Sequence, residues 1–203
     1  MRVPYLTAIS TWTTISILAA ATMLPTLRTY IFDQIKNWNS GQIAIGGPFQ
    51  MVDHNNNKVS ERSYHNRYLL VFFGFTHCPD ACPTALQTVS FALQQLGPKA
   101  DRISPLFITV DPERDTPETL KNYVHHFDHR ITALTGSQEQ VSKMIKNYRA
   151  YAHKVSNPKT PDNYTIDHSS YLYLMAPNGK FITHFNNTAS YHEISHRISE
   201  VLG

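Results

Sequence analysis

The sequence predicts an α/β fold, with a central mixed sheet flanked by helices and preceded by one N-terminal transmembrane helix. Residues 69–75 and 106–110 are apolar runs without polar alternation, which is typical of strands covered on both faces. Each run is followed by apolar residues at helical spacing, so strands and helices alternate along the chain. Residues 3–27 carry no charged side chain and are long enough to cross a bilayer once.

Composition excludes several classes of protein. A chain of 203 residues with 41% hydrophobic and 16% charged residues is large enough for a compact core and is not a disordered segment. The net charge of +3 comes without the Lys/Arg clusters of a phosphate-binding surface, so we expect no nucleic-acid partner. The two cysteines are too few for a disulfide-rich scaffold, and any redox or metal role therefore falls on this one pair.

The N-terminal segment predicts a chain of three parts. Residues 1–28 are interpreted as a membrane anchor, while the small residues at 19–21 leave a cleaved signal peptide open as the alternative. Residues 29–47 form a polar connector that we interpret as a linker, and residues 48–203 form the folded domain. Arg2 and Arg28 flank the apolar segment and nearly balance, so the positive-inside rule gives little information on orientation.

Turn and helix signals predict the first half of the domain. Residues 49–52 and 58–59 flank a polar turn and indicate an opening hairpin. After the first core strand, Pro83 suits the first turn of a helix that ends at Gly97-Pro98. The apolar stripe predicted for this helix comprises Leu86, Val89, Phe91, Leu93 and Leu96. A polar turn at residues 111–118 follows the second core strand and precedes another helix, whose apolar residues are Leu120, Tyr123, Val124 and Phe127.

The second half of the domain adds three strands and two helices. Residues 131–134 predict a short strand, and a capping box at residues 137–140 predicts the start of a helix. Residues 171–175 and 180–185 flank an Asn-Gly step, which is the strongest short hairpin signal. The last helix has an apolar stripe of Ile194, Ile198, Val201 and Leu202. Taken in order, these elements describe a thioredoxin-like sandwich with a helix that begins at the cysteines.

Cys78 and Cys82 lie where the first core strand ends and the following helix begins. Because they are four positions apart, one helical turn, they can bind one soft metal ion or close a small disulfide. So short a ring would remove little entropy from the unfolded chain, which favours a reactive pair over a structural disulfide. The positive end of the helix is expected to lower the pKa of both thiols. Two thiolates select Cu(I) or Zn(II), and an added imidazole extends the site toward Cu(II).

His168 is the best candidate for that imidazole among eleven histidines. It lies in a polar segment, residues 163–170, interpreted as a loop directly before a strand that should pair near the cysteine-bearing strand. Asp167 or a backbone carbonyl would orient its ring. His77, next to Cys78, stays open between an auxiliary ligand and an ordinary polar residue at a strand end.

Other polar clusters receive simpler interpretations. Residues 192–196 match the HExxH pattern of zinc peptidases, but no third ligand accompanies them, and we interpret them as a solvated helix face. His125 and His129 are likewise interpreted as helix surface. Asp111 and Asp115 have two roles open to them. They can cap the helix that follows, or they can bind a partner or hold their loop beside the metal.

Three segments together resemble the Sco/SenC family: residues 73–84 (FGFTHCPDACPT), 110–118 (VDPERDTPE) and 167–170 (DHSS). The match runs in the right order from residue 45 to the last helix. It implies a thioredoxin-like copper-binding protein with Cys78, Cys82 and His168 as ligands of Cu(I) or Cu(II). It also implies cytochrome c oxidase subunit II as the partner, whose dinuclear copper site must be metallated. Ala176 stands where we expect an acidic residue in the family's hairpin turn, which leaves these ligands unchanged.

The resemblance and the two thiols leave two functions open. The first is a copper chaperone that delivers copper to subunit II and also reduces the cysteines there. The alternative is a membrane-tethered thiol-disulfide oxidoreductase without metal delivery, in which one thiol attacks a disulfide and the other resolves it. The short leader, which lacks an Arg-rich presequence, favours a bacterial inner membrane with the domain in the periplasm over a mitochondrial inner membrane facing the intermembrane space.

Overall fold

The computed structural model describes residues 45–157 and 160–203. The predicted anchor and all but the end of the predicted linker lie outside these residues. Within the described part of the chain, no helix is both long and apolar enough to cross a membrane.

The strands in the described part of the chain are β1 (Gln50–Asp53), β2 (Lys58–Ser60), β3 (Tyr68–Gly74), β4 (Ile103–Thr109), β5 (Thr132–Thr135), β6 (Ala152–Asn157), β7 (Thr160–His168), β8 (Leu172–Met175) and β9 (Phe181–Phe185). The α-helices are α1 (Ala81–Leu96), α2 (Pro117–Val124), α3 (Gln138–Asn147) and α4 (Tyr191–Leu202).

Seven strands form one mixed sheet in the order β2-β1-β5-β4-β3-β8-β9. β3, β4 and β5 are parallel neighbours, while β1 pairs antiparallel with β5 and β8 pairs antiparallel with β3. The two central strands, β3 and β4, are mostly apolar because both of their faces are covered. Every residue of β4 is buried, and so is every residue of β3 after Tyr68. The predicted central mixed sheet is confirmed, as are the opening and closing hairpins.

The helices confirm the predicted alternation, with one error. α1 packs against α4, and the residues that α1 buries include Cys82, Leu86, Val89, Leu93 and Leu96. Phe91, predicted in this stripe, is 44% exposed and lies against Tyr191 with ring centroids 5.6 Å apart. The reason is helical geometry, because a residue nine positions after Cys82 points about 180° away from it at roughly 100° per residue.

A second sheet of two antiparallel strands, β6 and β7, was not predicted. The interpretation of residues 163–170 as a loop is wrong, since β7 extends to His168. β6 is exposed from residue 153 to residue 156, and Val155 keeps 47% of its surface accessible. A strand without a buried face lacks the apolar alternation by which strands are predicted from sequence. On β7, Ile166 is buried at 8% exposure, and Tyr164 and His168 on the same face are half-buried.

The chain order brings the end of β7 to the end of β3. β8 begins at Leu172, which pairs with Phe72 near the C-terminal end of β3, so the predicted pairing of this strand with the cysteine-bearing strand is confirmed. His168 is the last residue of β7 and pairs with Ala152. The base of the hairpin is closed by Ser169, whose N–H donates to the Tyr151 carbonyl at 2.9 Å.

Candidate metal centre

Three elements bring two sulfur atoms and one nitrogen atom together. Cys78 lies between β3 and α1, Cys82 is the second residue of α1, and His168 ends β7. One donor atom from each residue can be chosen so that all three lie within 4.8 Å of one another. The shortest contact joins Cys82 Sγ and His168 Nε2 at 3.4 Å. All three predicted site residues therefore converge. Cys82 and His168, which make the closest contact, are 86 positions apart in the sequence.

This donor set fits a soft metal ion. Thiolate and imidazole ligands lie about 2.0–2.3 Å from a bound ion, which places three such donors roughly 4 Å apart. The observed spacing within 4.8 Å thus needs only a small closing movement. Two sulfurs favour Cu(I) and Zn(II), and the imidazole nitrogen makes Cu(II) acceptable as well.

The two thiols differ in environment. Both cysteines are free; Cys78 is partly exposed, while Cys82 is fully buried. The Cys82 backbone N–H donates to Cys78 Sγ at 3.4 Å, so the helix N-terminus does face that sulfur. Burial nevertheless raises the pKa of the Cys82 thiol well above its ordinary value, and the hydrogen bond that this thiol donates to Cys78 adds to the increase. The expectation that the helix lowers the pKa of both thiols is wrong for Cys82, because desolvation outweighs the helix dipole.

His168 is oriented by a backbone carbonyl. Its Nδ1 lies 3.0 Å from the Ser169 carbonyl oxygen, which can only accept, so Nδ1 carries the proton and Nε2 presents a lone pair toward Cys82. Of the two orienting groups that the sequence left open, the carbonyl makes this contact. Phe72 and Phe75 pack edge-on against the imidazole with ring centroids 6.3 Å and 5.7 Å away. These rings confine the ligand to one orientation.

The protonation of His168 gives a direct test of this environment. Burial lowers the pKa of His168 below its ordinary value of 6.5. A lowered pKa means that the folded protein binds fewer protons than the unfolded chain, so His168 contributes stability above pH 6.5 that is lost as the pH falls below it. We expect an NMR titration of the reduced, metal-free protein to place the His168 midpoint below 6.5. A midpoint at or above 6.5 would contradict the buried environment.

Gly74, at the end of β3, leaves room for the Cys82 sulfur. A Cβ at this position would lie 2.8 Å from Cys82 Sγ and 2.7 Å from Phe107 Cε2, closer than real Cβ contacts. Both neighbours are fully buried, so neither has free space into which to move. The sequence offered no signal for this role, because the glycine lies inside an apolar run.

We expect Gly74→Ala to destabilise the fold by about 1–3 kcal/mol and to weaken copper binding, since the sulfur must shift. Denaturant unfolding and copper titration measure the two effects. Gly97→Ala is the matched control, because its φ of 55° makes alanine strained although nothing lies within 4 Å. That variant should lose stability without losing copper affinity. Parental copper affinity in Gly74→Ala would contradict the packing described here.

Asp115 holds the loop that carries the first cysteine. It is fully buried and accepts hydrogen bonds from the Thr76 N–H at 3.1 Å and from the Thr76 hydroxyl at 2.6 Å. The Thr109 hydroxyl donates to the same carboxylate at 2.6 Å. Burial raises the pKa of Asp115. The capping role is wrong for both aspartates, because Thr116 caps α2 by accepting from the Thr119 N–H.

The remaining histidines lie apart from this centre. His77 is exposed, with Nδ1 3.1 Å from the Thr76 hydroxyl. His192 and His196 lie exposed on α4, and His125 and His129 are also exposed. In the part of the chain that the structure describes, Cys78, Cys82 and His168 are the only group of three or more potential metal ligands.

Comparison with known proteins gives one consistent family. A family model described as SCO1/SenC matches residues 38–203. The SCO2-like protein of Rickettsia prowazekii is 39% identical over 153 residues, which is 75% of this chain and 75% of that protein. The mitochondrial SCO1 homolog of Homo sapiens is 36% identical over 162 residues, 78% of this chain and 53% of that protein. The chain thus spans about half the length of the human relative.

The solved structures agree with the sequence relatives. ScoI of Bradyrhizobium japonicum with copper bound aligns with a TM-score of 0.72 and 43% identity, over 77% of this chain and 99% of that one. The predicted thioredoxin-like sandwich is confirmed by this likeness together with the mixed sheet and its flanking helices.

Proposed function

The chain belongs to the SCO1/SenC family, and we propose that it is a copper chaperone that delivers copper to cytochrome c oxidase subunit II during oxidase assembly. Copper is its metal, in keeping with the copper-bound ScoI relative. The observation that carries the proposal is the convergence of two sulfurs and one imidazole nitrogen within 4.8 Å. Cys78, Cys82 and His168 are the proposed ligands.

The three ligands have different roles in binding and release. Buried Cys82 and the oriented imidazole of His168 hold copper on the inner side of the site. Cys78 is partly exposed, so a thiolate of the partner can reach copper from that side. Release then proceeds by ligand exchange, in which one partner sulfur binds before one sulfur of this chain leaves. No electron has to move in this exchange.

The same two thiols support a second role, reduction of the partner's cysteines. Cys78 is exposed enough to attack a disulfide, and Cys82 lies close enough to resolve the mixed disulfide. The partner disulfide gains two electrons and becomes two thiols, while Cys78 and Cys82 lose two electrons and form a disulfide. An oxidase subunit needs reduced cysteines before it accepts copper, so reduction precedes delivery. Reduction without delivery is the alternative function.

We also propose the location in which this chemistry occurs. Residues 1–28 anchor the chain, residues 29–47 form the linker and residues 48–203 form the copper-binding domain. The supporting observation is the uncharged apolar segment at residues 3–27. The proposed site of action is the periplasmic face of a bacterial inner membrane.

A transfer assay tests delivery against reduction. The copper-loaded protein is mixed with the soluble domain of subunit II, its cysteines either reduced or oxidised, and copper is measured in each protein after separation. We expect copper to move to the reduced domain without any other reagent. With the oxidised domain, metal-free reduced protein is added as well. We expect it to reduce the disulfide of that domain to free thiols first, and copper to move from the loaded protein to the domain afterwards.

Two results would decide against the proposal. If copper stays with this protein when reduced subunit II is present in excess, the delivery role is wrong. If thiols appear in the oxidised domain while copper never moves, the protein is the oxidoreductase of the alternative function.

A further inference from the structure

The hairpin that carries His168 is not part of the main sheet. Among the described residues, β6 and β7 pair only with each other. Side chains alternate between the two faces of a strand, so Tyr164, Ile166 and His168 share one face of β7. On this face Ile166 is buried and His168 reaches Cys82 Sγ. Tyr164 is the next inward-facing residue after Ile166, counted away from His168 along β7. Its contacts therefore determine how the part of the hairpin away from the metal centre is attached.

Tyr164 is bound by the loop between β4 and α2. Its hydroxyl donates to Asp111 Oδ1 at 2.7 Å, and its carbonyl oxygen accepts from Arg114 Nη1 at 3.2 Å. The Arg114 guanidinium lies over the Tyr164 ring, 3.6 Å from its centroid. Arg114 Nε also donates to the buried Asp111 carboxylate, so the two loop residues fix each other. We call Asp111, Arg114 and Tyr164 the clasp.

The clasp connects the two halves of the metal centre. Its loop continues to Asp115, which binds Thr76, two residues before Cys78. On the other side, Tyr164 lies four residues before His168 on the same strand. The Arg114 guanidinium is also 5.9 Å from the Phe75 ring, which packs on the His168 imidazole. One loop thus holds both the segment that leads to the thiols and the strand that ends in the imidazole.

We propose that the clasp is a positioning device that keeps His168 on the copper, and that Tyr164 thereby sets the affinity for Cu(II) without touching the metal. This inference rests on the ligand set of the proposed function. When the clasp is closed, the hairpin holds Nε2 beside the sulfurs. When it opens, the two thiols still hold Cu(I), which is soft, but the site loses the nitrogen that Cu(II) requires. Opening of the clasp therefore turns a three-ligand site into a two-ligand site from which copper leaves more easily.

Tyr164→Phe tests the clasp because it removes one hydroxyl and keeps the ring over which Arg114 lies. A hydrogen bond to a charged group is strong enough for a tenfold effect or more, so we expect about tenfold weaker Cu(II) binding. The charge-transfer absorption between Cu(II) and thiolate should shift toward that of His168→Ala, while Cu(I) affinity changes less than threefold. Tyr164→Leu, which also removes the ring, should show a larger loss of Cu(II) affinity.

Tyr151→Phe is the matched control, since Tyr151 is 52% exposed at the other end of the same hairpin and is hydrogen-bonded to Ser169 through its backbone N–H and carbonyl, which the substitution leaves in place. It should match the parent. Amide hydrogen exchange of β6 and β7 in the metal-free protein is a second readout, and we expect about tenfold faster exchange in Tyr164→Phe than in Tyr151→Phe.

The outcomes separate this inference from the proposed function. If Tyr164→Phe and Tyr151→Phe have the same Cu(II) affinity and the same exchange rates, the clasp proposal is wrong even if copper is delivered. If Tyr164→Phe weakens Cu(II) binding but no copper reaches subunit II, the clasp stands and delivery is wrong. Equal loss of Cu(I) and Cu(II) affinity in Tyr164→Phe would also overturn the proposal, because a general loss of structure affects both.

Discussion

Cys78→Ser and Cys82→Ser are each expected to lower the affinity for Cu(I) more than a hundredfold. Serine keeps the size of the side chain but replaces a soft sulfur with a hard oxygen, which Cu(I) binds poorly. Removing a residue that only hydrogen-bonds to a metal ligand already lowers metal affinity about 10–100-fold, and removing the ligand itself should lower it more. Competition titration of the reduced protein against a Cu(I) chelator of known affinity measures this effect.

Both cysteine variants should have a lower affinity for Cu(I), but they should differ in stability. Cys82 is fully buried, so its serine variant places a hydroxyl in the core and should lose stability, whereas Cys78 is partly exposed. Denaturant unfolding of both metal-free variants separates the two effects. A Cys78→Ser protein that folds normally and binds Cu(I) like the parent would contradict the proposed ligand set.

His168→Ala is expected to lose tight Cu(II) binding while keeping most of its Cu(I) affinity. The two sulfurs remain in place, and they satisfy Cu(I) without the imidazole, but Cu(II) loses its nitrogen ligand. The alanine also removes a ring that packs against Phe72 and Phe75, so some loss of stability accompanies the change. Cu(II) titration followed by thiolate charge-transfer absorption measures the affinity and the coordination together.

His153→Ala is the matched control for this prediction. His153 lies on β6, pairs with Asp167 next to the metal ligand and is exposed, so it samples the same hairpin without reaching the sulfurs. It should bind Cu(II) like the parent. If His153→Ala and His168→Ala bind Cu(II) equally well, the imidazole of His168 does not belong to the site.

The strands and the helix around the cysteines could be predicted because two independent sequence signals, apolar runs and a proline in the first turn of the helix, agree there. β3 and β4 are mostly apolar since both faces are covered, and Pro83 in the first turn of α1 indicates where that helix begins. The cysteines therefore had to lie at a helix entrance beside the sheet. His168 was found by its position before a strand that pairs with β3, although its own segment was assigned to a loop.

The supporting contacts could not be predicted, and each failure has a physical reason. β6 is exposed from residue 153 to residue 156, and the half-buried face of β7 carries only one aliphatic residue, Ile166, so the hairpin has too weak an apolar pattern to be predicted. Every residue has a carbonyl, and only the fold selects that of Ser169 to orient His168. The raised pKa of Cys82 depends on complete burial, which its place at a helix entrance does not indicate. Tyr164 and Arg114 meet across 50 positions of sequence and belong to no local motif.

X-ray absorption at the copper edge tests the central claim most directly, because it counts the atoms bound to copper in the loaded protein. We predict two sulfur neighbours and one imidazole nitrogen, with the imidazole signal lost in His168→Ala and retained in His153→Ala. Copper surrounded by nitrogen and oxygen without sulfur would contradict the claim, and so would an imidazole signal that survives in His168→Ala.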